Sequence, residues 1–188
     1  MGDTFQTIVD LDAGPQDAPR LAARVVDRLV AEGILLPEAK PGWALGNGPA
    51  HPPGPNWHTA VADARWGSPE GVAVYAEHHI FWSNFHHRPG PTVVICTRCG
   101  EATEVREDLT ERFSEATEAW YETGGAAVDC PGCARSVDLS GWRWADDSLA
   151  FAHLGFEFWN WPELSEEFRA RVSGLVDGHR TAFLPGKI

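Results

Sequence analysis

An α+β fold is expected, built on an antiparallel sheet with helices on one face, and three features of the sequence point to it. Outside the middle of the chain, segments alternate as strand, helix, strand, and again as strand, helix, strand. The 188 residues suit one domain, or one domain carrying a small inserted unit. All four cysteines lie together in the middle, between the second and third of those strands.

The elements follow in order. "TFQTIVDLD" (4–12) has the alternation of a strand, with Phe5, Val9 and Leu11 on one face and Ile8 and Asp10 on the other. "DAPRLAARVVDRLVAEG" (17–33) is a helix capped by Asp17, with Pro19 in its first turn and Gly33 at its end. Leu21, Val25, Val26, Leu29 and Val30 give it one apolar face. The Pro- and Gly-rich stretch 37–55 is a long loop, with Trp43 and Trp57 as its anchors. "GVAVYAEH" (71–78) is the second strand. Among the cysteines, "DLTERFSEATEAWYETGG" is a helix that Asp108 and Glu111 would box and Gly124 would end, with Leu109, Phe113, Ala116 and Trp120 on one face. "SLAFAHLGFEFW" (148–159) is the third strand, and Asn160 is the expected cap for a second core helix in "PELSEEFRARVSGLVDG" (162–178). "HRTAFLPGKI" closes with a final strand. This β-α-β-β-α-β order is that of a ferredoxin-like sandwich, whose sheet keeps one face free of helices. Residues 1–92 and 140–188 then form one α+β domain, and 93–139 are an insertion between the second and third core strands.

The cysteines stand in "ICTRCGEATEV" and "VDCPGCARSVDL", as the pairs Cys96/Cys99 and Cys130/Cys133. Two intervening residues let a tight turn aim both sulfurs at one point, with backbone amides donating to them and favouring thiolates. Four sulfurs are what a tetrahedral Zn²⁺ needs. A redox dithiol would need only one pair, and four unrelated reduced thiols would need no spacing at all. The C-x-x-C-G and C-P-x-C patterns resemble the two knuckles of a zinc ribbon. That resemblance covers residues 93–139 and implies a structural Zn²⁺ held in a closed shell by Cys96, Cys99, Cys130 and Cys133. It implies no activity. Two departures stand out: a long spacer holding a helix, and Ala134 where the first knuckle has Gly100.

The net charge is −12, from 27 acidic and 15 basic residues. Such a chain repels phosphate backbones and anionic membranes, so neither nucleic acid nor membrane is an expected partner. "MGDTFQTIVD" is unlike a signal segment, no run approaches the roughly 20 apolar residues of a membrane span, and reduced cysteines suit a reducing compartment, so a cytoplasmic location is expected. Nine Trp and nine Phe are more large rings than a chain this size hides, which places some indoles on a pocket or a partner-binding face. The spacing of the four histidines in "EHHIFWSNFHH" (77–87) does not favour their convergence on a metal. Odd positions of the third strand instead put His153, Glu157 and Trp159 on the open sheet face, where Asp10 and His78 can join them as a small-molecule or second-metal site. No G-x-S-x-G, P-loop, G-x-G-x-x-G or HExxH motif is present. The favoured expectation is a zinc-stabilised acidic module that binds another protein, as an adaptor or immunity-type protein. The alternative is a small-molecule enzyme using the Asp10, His153 and Glu157 face.

Overall fold

The structure, a computed structural model, describes residues 2–45, 48–65, 67–84, 92–145 and 147–188. Its strands and helices are β1 (Thr4–Asp10), α1 (Ala18–Ala31), β2 (Ala50–His51), β3 (Val72–Tyr75), β4 (His79–Trp82), β5 (Val93–Cys96), β6 (Ala102–Glu104), α2 (Glu107–Thr123), β7 (Ala127–Asp129), β8 (Ser136–Asp138), β9 (Trp142–Trp144), β10 (Leu149–Ala152), β11 (Leu154–Trp159), α3 (Glu166–Gly174) and β12 (Thr181–Lys187). Among the described residues this is a mixed α+β architecture of three helices and several antiparallel sheets. No described helix is long and apolar enough to cross a membrane.

The largest sheet runs β12-β1-β11-β3-β2, with every neighbouring pair antiparallel. α1 and α3 cover one face. Leu21, Val25 and Leu29 recur at helical spacing and meet Ile8, Phe156 and Phe158 of the sheet, while α3 adds Phe168 and Val172. Asp17 stands at the start of α1 without capping it; its carboxylate takes Arg20 instead. α3 is shorter than the sequence suggests, because Ser165 caps it by accepting the Phe168 N–H at 3.1 Å. Asn160 has a different task. It turns the chain with a φ of 54° and accepts the Thr4 N–H on Oδ1 at 2.9 Å. That turn sends Trp161 onto Phe158 beneath the helices and Trp159 onto Phe5 on the other face. In the long loop Trp57 does anchor, edge-on to Trp161 at 6.1 Å, whereas Trp43 stays 38% exposed.

Three expectations need correction. The single strand 148–159 is two strands that part at His153: β10 pairs with β4, and β11 enters the main sheet. The second sheet face is therefore not open. The β4–β10 ribbon lies over it, with Phe81, Ala150 and Ala152 packed on Val9 and Leu184. The facing of β1 is also reversed: Ile8 points to the helices, and Val9 and Leu11 point to the ribbon. Both alternate sets along β1 are buried and each mixes apolar with polar residues, Gln6, Ile8 and Asp10 on one side and Phe5, Thr7 and Val9 on the other, so alternation does not say which side meets the helices.

The cysteine-bearing part comprises the β6-β5-β9 sheet, the β7–β8 hairpin and α2. Leu109, Phe113, Ala116 and Trp120 of α2 pack on Val94, Val128, Val137 and Leu139, and Trp142, Trp144 and Phe151 complete this second core. The Asp108–Glu111 box does not form; α2 starts after Arg106 with no side-chain cap.

Candidate metal centre

Each cysteine pair sits at the tip of a hairpin, and the two tips share one hydrogen-bond pattern. In the first, the Cys96 N–H donates to Glu101 O at 3.0 Å and the Gly100 N–H to Cys96 O at 2.8 Å. In the second, the Cys130 N–H donates to Arg135 O at 2.9 Å and the Ala134 N–H to Cys130 O at 2.8 Å. The residue after each second cysteine is left-handed, with φ of 76° at Gly100 and 53° at Ala134. Glycine takes that conformation freely and alanine does not. Ala134→Gly should therefore raise the stability of the metal-loaded protein by about 1 kcal/mol, and Gly100→Ala should lower it by ~1–2 kcal/mol. A Cβ at Gly100 meets nothing within 4 Å, so that loss comes from the backbone alone. Denaturant melts that fail to separate the two variants would reject the assignment.

The hairpins face each other and bring the sulfurs of Cys96, Cys99, Cys130 and Cys133 within 4.8 Å of one another. Cys99 Sγ and Cys130 Sγ are 3.7 Å apart, and none of the four is in a disulfide. Four sulfurs at about 2.3 Å from a tetrahedral Zn²⁺ would be about 3.8 Å apart, so the donor set fits that ion in type, number and spacing. Loss of water contact disfavours a charge on Cys96, but the N–H groups of Cys99 and Arg98 outweigh it and lower this thiol to about 7. At Cys99 the Glu101 N–H favours the thiolate, yet reduced hydration and the other three sulfurs hold it up to about 12. Cys96 is thus ready to ionise while Cys99 holds its proton, as expected of ligands that release protons on binding metal.

The five ligand-binding candidates are not brought to one place. Asp10 lies on the helix side of β1, where Oδ1 accepts the N–H of Asp12 and of Ala13 at 3.0 Å each and Oδ2 meets His179 Nδ1 at 2.9 Å. Glu157 and Trp159 do share the ribbon face. The Glu157 carboxylate is buried there and fully engaged, by Trp159 Nε1 at 2.8 Å, Tyr75 Oη at 3.2 Å and Thr7 Oγ1 at 3.4 Å. Burial raises its pKa against the pull of those three donors. His153 and His78 are neighbours, with ring centres 6.4 Å apart, but they flank Trp120 of α2 rather than Glu157. Burial, then His78, lowers the pKa of His153. His79 stacks on Tyr75 at 4.2 Å. His86 and His87 lie outside the described residues. His179, Tyr75 and Thr7 carried no signal in the sequence, since topology alone joins them to Asp10 and Glu157.

Fold and site together define an α+β protein with a four-cysteine cluster able to bind a metal such as zinc. Comparison with protein-family models, with curated proteins and with solved structures gave no match for the chain.

Proposed function

We propose that the chain is a zinc-stabilised, acidic module that binds another protein, built on a ferredoxin-like domain. The fold reading draws support from the strand order: β11 lies between β1 and β3, and β1 between β11 and β12, so each helical crossover spans a strand inserted between its ends. The metal reading is supported by the closed set of sulfurs, which leaves a tetrahedral ion no open position for chemistry. A small-molecule enzyme on the sheet face has less support, because Glu157 is already engaged by three donors and Asp10 faces the other way.

The observation that carries the binding reading is α2. One face of this helix is buried in the second core, and the opposite face presents Glu111, Glu115, Glu118 and Glu122 to solvent, beside Tyr121 at 68% exposure. Carboxylates with an adjacent exposed ring, on a helix fixed by packing and near a metal knot, suit a basic protein surface. Affinity capture from the source cells tests this. A basic protein should be retained at low salt, retained less at moderate salt, and lost with Glu118→Lys/Glu122→Lys. Retention unchanged by the charge reversal, or recovery dominated by nucleic acid, would overturn the reading.

A further inference from the structure

β7 and β8 form a two-stranded sheet, so among the described residues one edge of β7 has no strand beside it. The ladder's phase shows which backbone groups face that edge. Cys130 donates its N–H to Arg135 O and Leu139 donates its N–H to Ala126 O, which puts residues 126, 128 and 130 in the bonded positions opposite β8. The N–H and C=O of Ala127 and Asp129 therefore point away from β8. Among the described residues, only the Asp129 carbonyl is engaged on that side, by the Arg112 guanidinium at 2.7 Å. A carbonyl keeps a second lone pair, so even this acceptor can take another donor.

α2 runs beside the open edge. Between the two lies a groove of about 360 Å³, lined by Arg112, Glu115, Ala116, Ala119, Ala127 and Val128. With Ala126, four alanines line it, and their methyl groups are small enough for another backbone to reach β7. The rim is acidic. Glu115 lines the groove from the flank of α2, and Asp129 lines it from β7, both exposed.

We propose that this groove takes an extended, lysine- or arginine-bearing segment of a partner protein, which adds to β7 as a strand. The proposal rests on the reading of the chain as an acidic protein-binding module and names the binding site of that module. The segment's backbone would pair with Ala127 and the Asp129 N–H, and alternate side chains would fall into the groove and toward the rim. Small apolar residues suit the alanine-lined groove, and cations suit the carboxylates above it. A second copy of this chain fits less well, because pairing β7 with β7 would set two Asp129 and two Glu115 side chains against each other.

The test uses the whole 188-residue chain, zinc-loaded, and a blocked octapeptide in which Lys alternates with Val and Thr. Two further peptides replace its Lys by Glu, or carry N-methyl groups on the amides that would face β7. The Lys peptide should shift the amide resonances of Ala127 and Asp129, and the other two should bind about tenfold more weakly or worse. Ala119→Met, which fills the groove without changing charge, should weaken binding by a similar factor while zinc content stays at one per chain. Three results would overturn the proposal: equal binding of the N-methylated peptide, shifts confined to Thr181 and Phe183 on the outer edge of β12, or self-association that moves Ala127 and Asp129 without peptide. If no peptide binds while the basic protein is still captured, the groove is wrong and the module reading stands. If the peptide binds at the groove and charge reversal leaves capture unchanged, the module reading is the one that fails.

Discussion

Cys130→Ser should lose the metal and unfold the cysteine hairpins while leaving the main sheet folded. Cys130 is buried, and its sulfur lies 3.7 Å from that of Cys99, inside the four-sulfur cluster. Serine is a poor ligand for zinc, and three remaining sulfurs leave a tetrahedral ion one donor short. Structural zinc contributes on the order of 10–16 kcal/mol of apparent binding free energy to folding in small zinc domains. β7 and β8 have three residues each, too few to stay paired without it. The packing under α2 is more extensive than a bare knuckle would have, and the helix–sheet cluster is separate from it. Loss should therefore spread from the hairpins into the second core before it reaches Ile8 or Phe156. Elemental analysis should fall from one zinc per chain to near none, and amide exchange should accelerate at Val94 and Val137 first. One zinc retained by the variant, or four thiols that titrate freely in the native wild-type protein, would sink the idea.

The features that were legible in the sequence are those fixed by short spacing. Two residues between cysteines set a turn, and four such cysteines set a donor number, so the cluster could be named residue by residue. Likewise Leu21, Val25 and Leu29 mark α1 because helical periodicity needs only a few turns to show. What failed depended on contacts between distant segments. Whether a sheet face is open depends on what covers it, and here the cover is the ribbon of β4 and β10, which no local pattern announces. The break at His153 was hidden because alternation looks continuous through 150, 152, 154, 156 and 158. In the structure Ala150 and Ala152 belong to the ribbon core while Leu154, Phe156 and Phe158 face the helices. Asn160 departs from its expected role for a related reason. Asparagine serves both as a helix cap and as a left-handed turn, and only the Thr4 N–H in space decides between them.

The ribbon's seat on the sheet yields the second large effect, a pair of substitutions that should each destabilise and partly cancel. Phe81 of β4 is 2% exposed and packs with Val9, Ala150, Ala152 and Leu184, its ring 5.6 Å from that of Tyr75. Removing a ring so enclosed, as in Phe81→Ala, should cost about 3–5 kcal/mol. Gly155 of β11 lies directly beneath it. A Cβ there would fall inside the van der Waals envelope of the Phe81 ring, with Cε1 and Cζ its nearest atoms. Glycine at this point of a central strand is the condition for the ribbon to sit close. Gly155→Ala alone should therefore cost ~1–3 kcal/mol, because the ring must move and its neighbours are buried too. In the double variant the ring is gone and the new methyl group enters the space it leaves. The combined loss should then fall short of the sum of the two single losses, by about 1 kcal/mol or more. Strict additivity in denaturant melts of the four proteins would mean that Phe81 and Gly155 do not touch, and that the ribbon does not lie on the sheet as described.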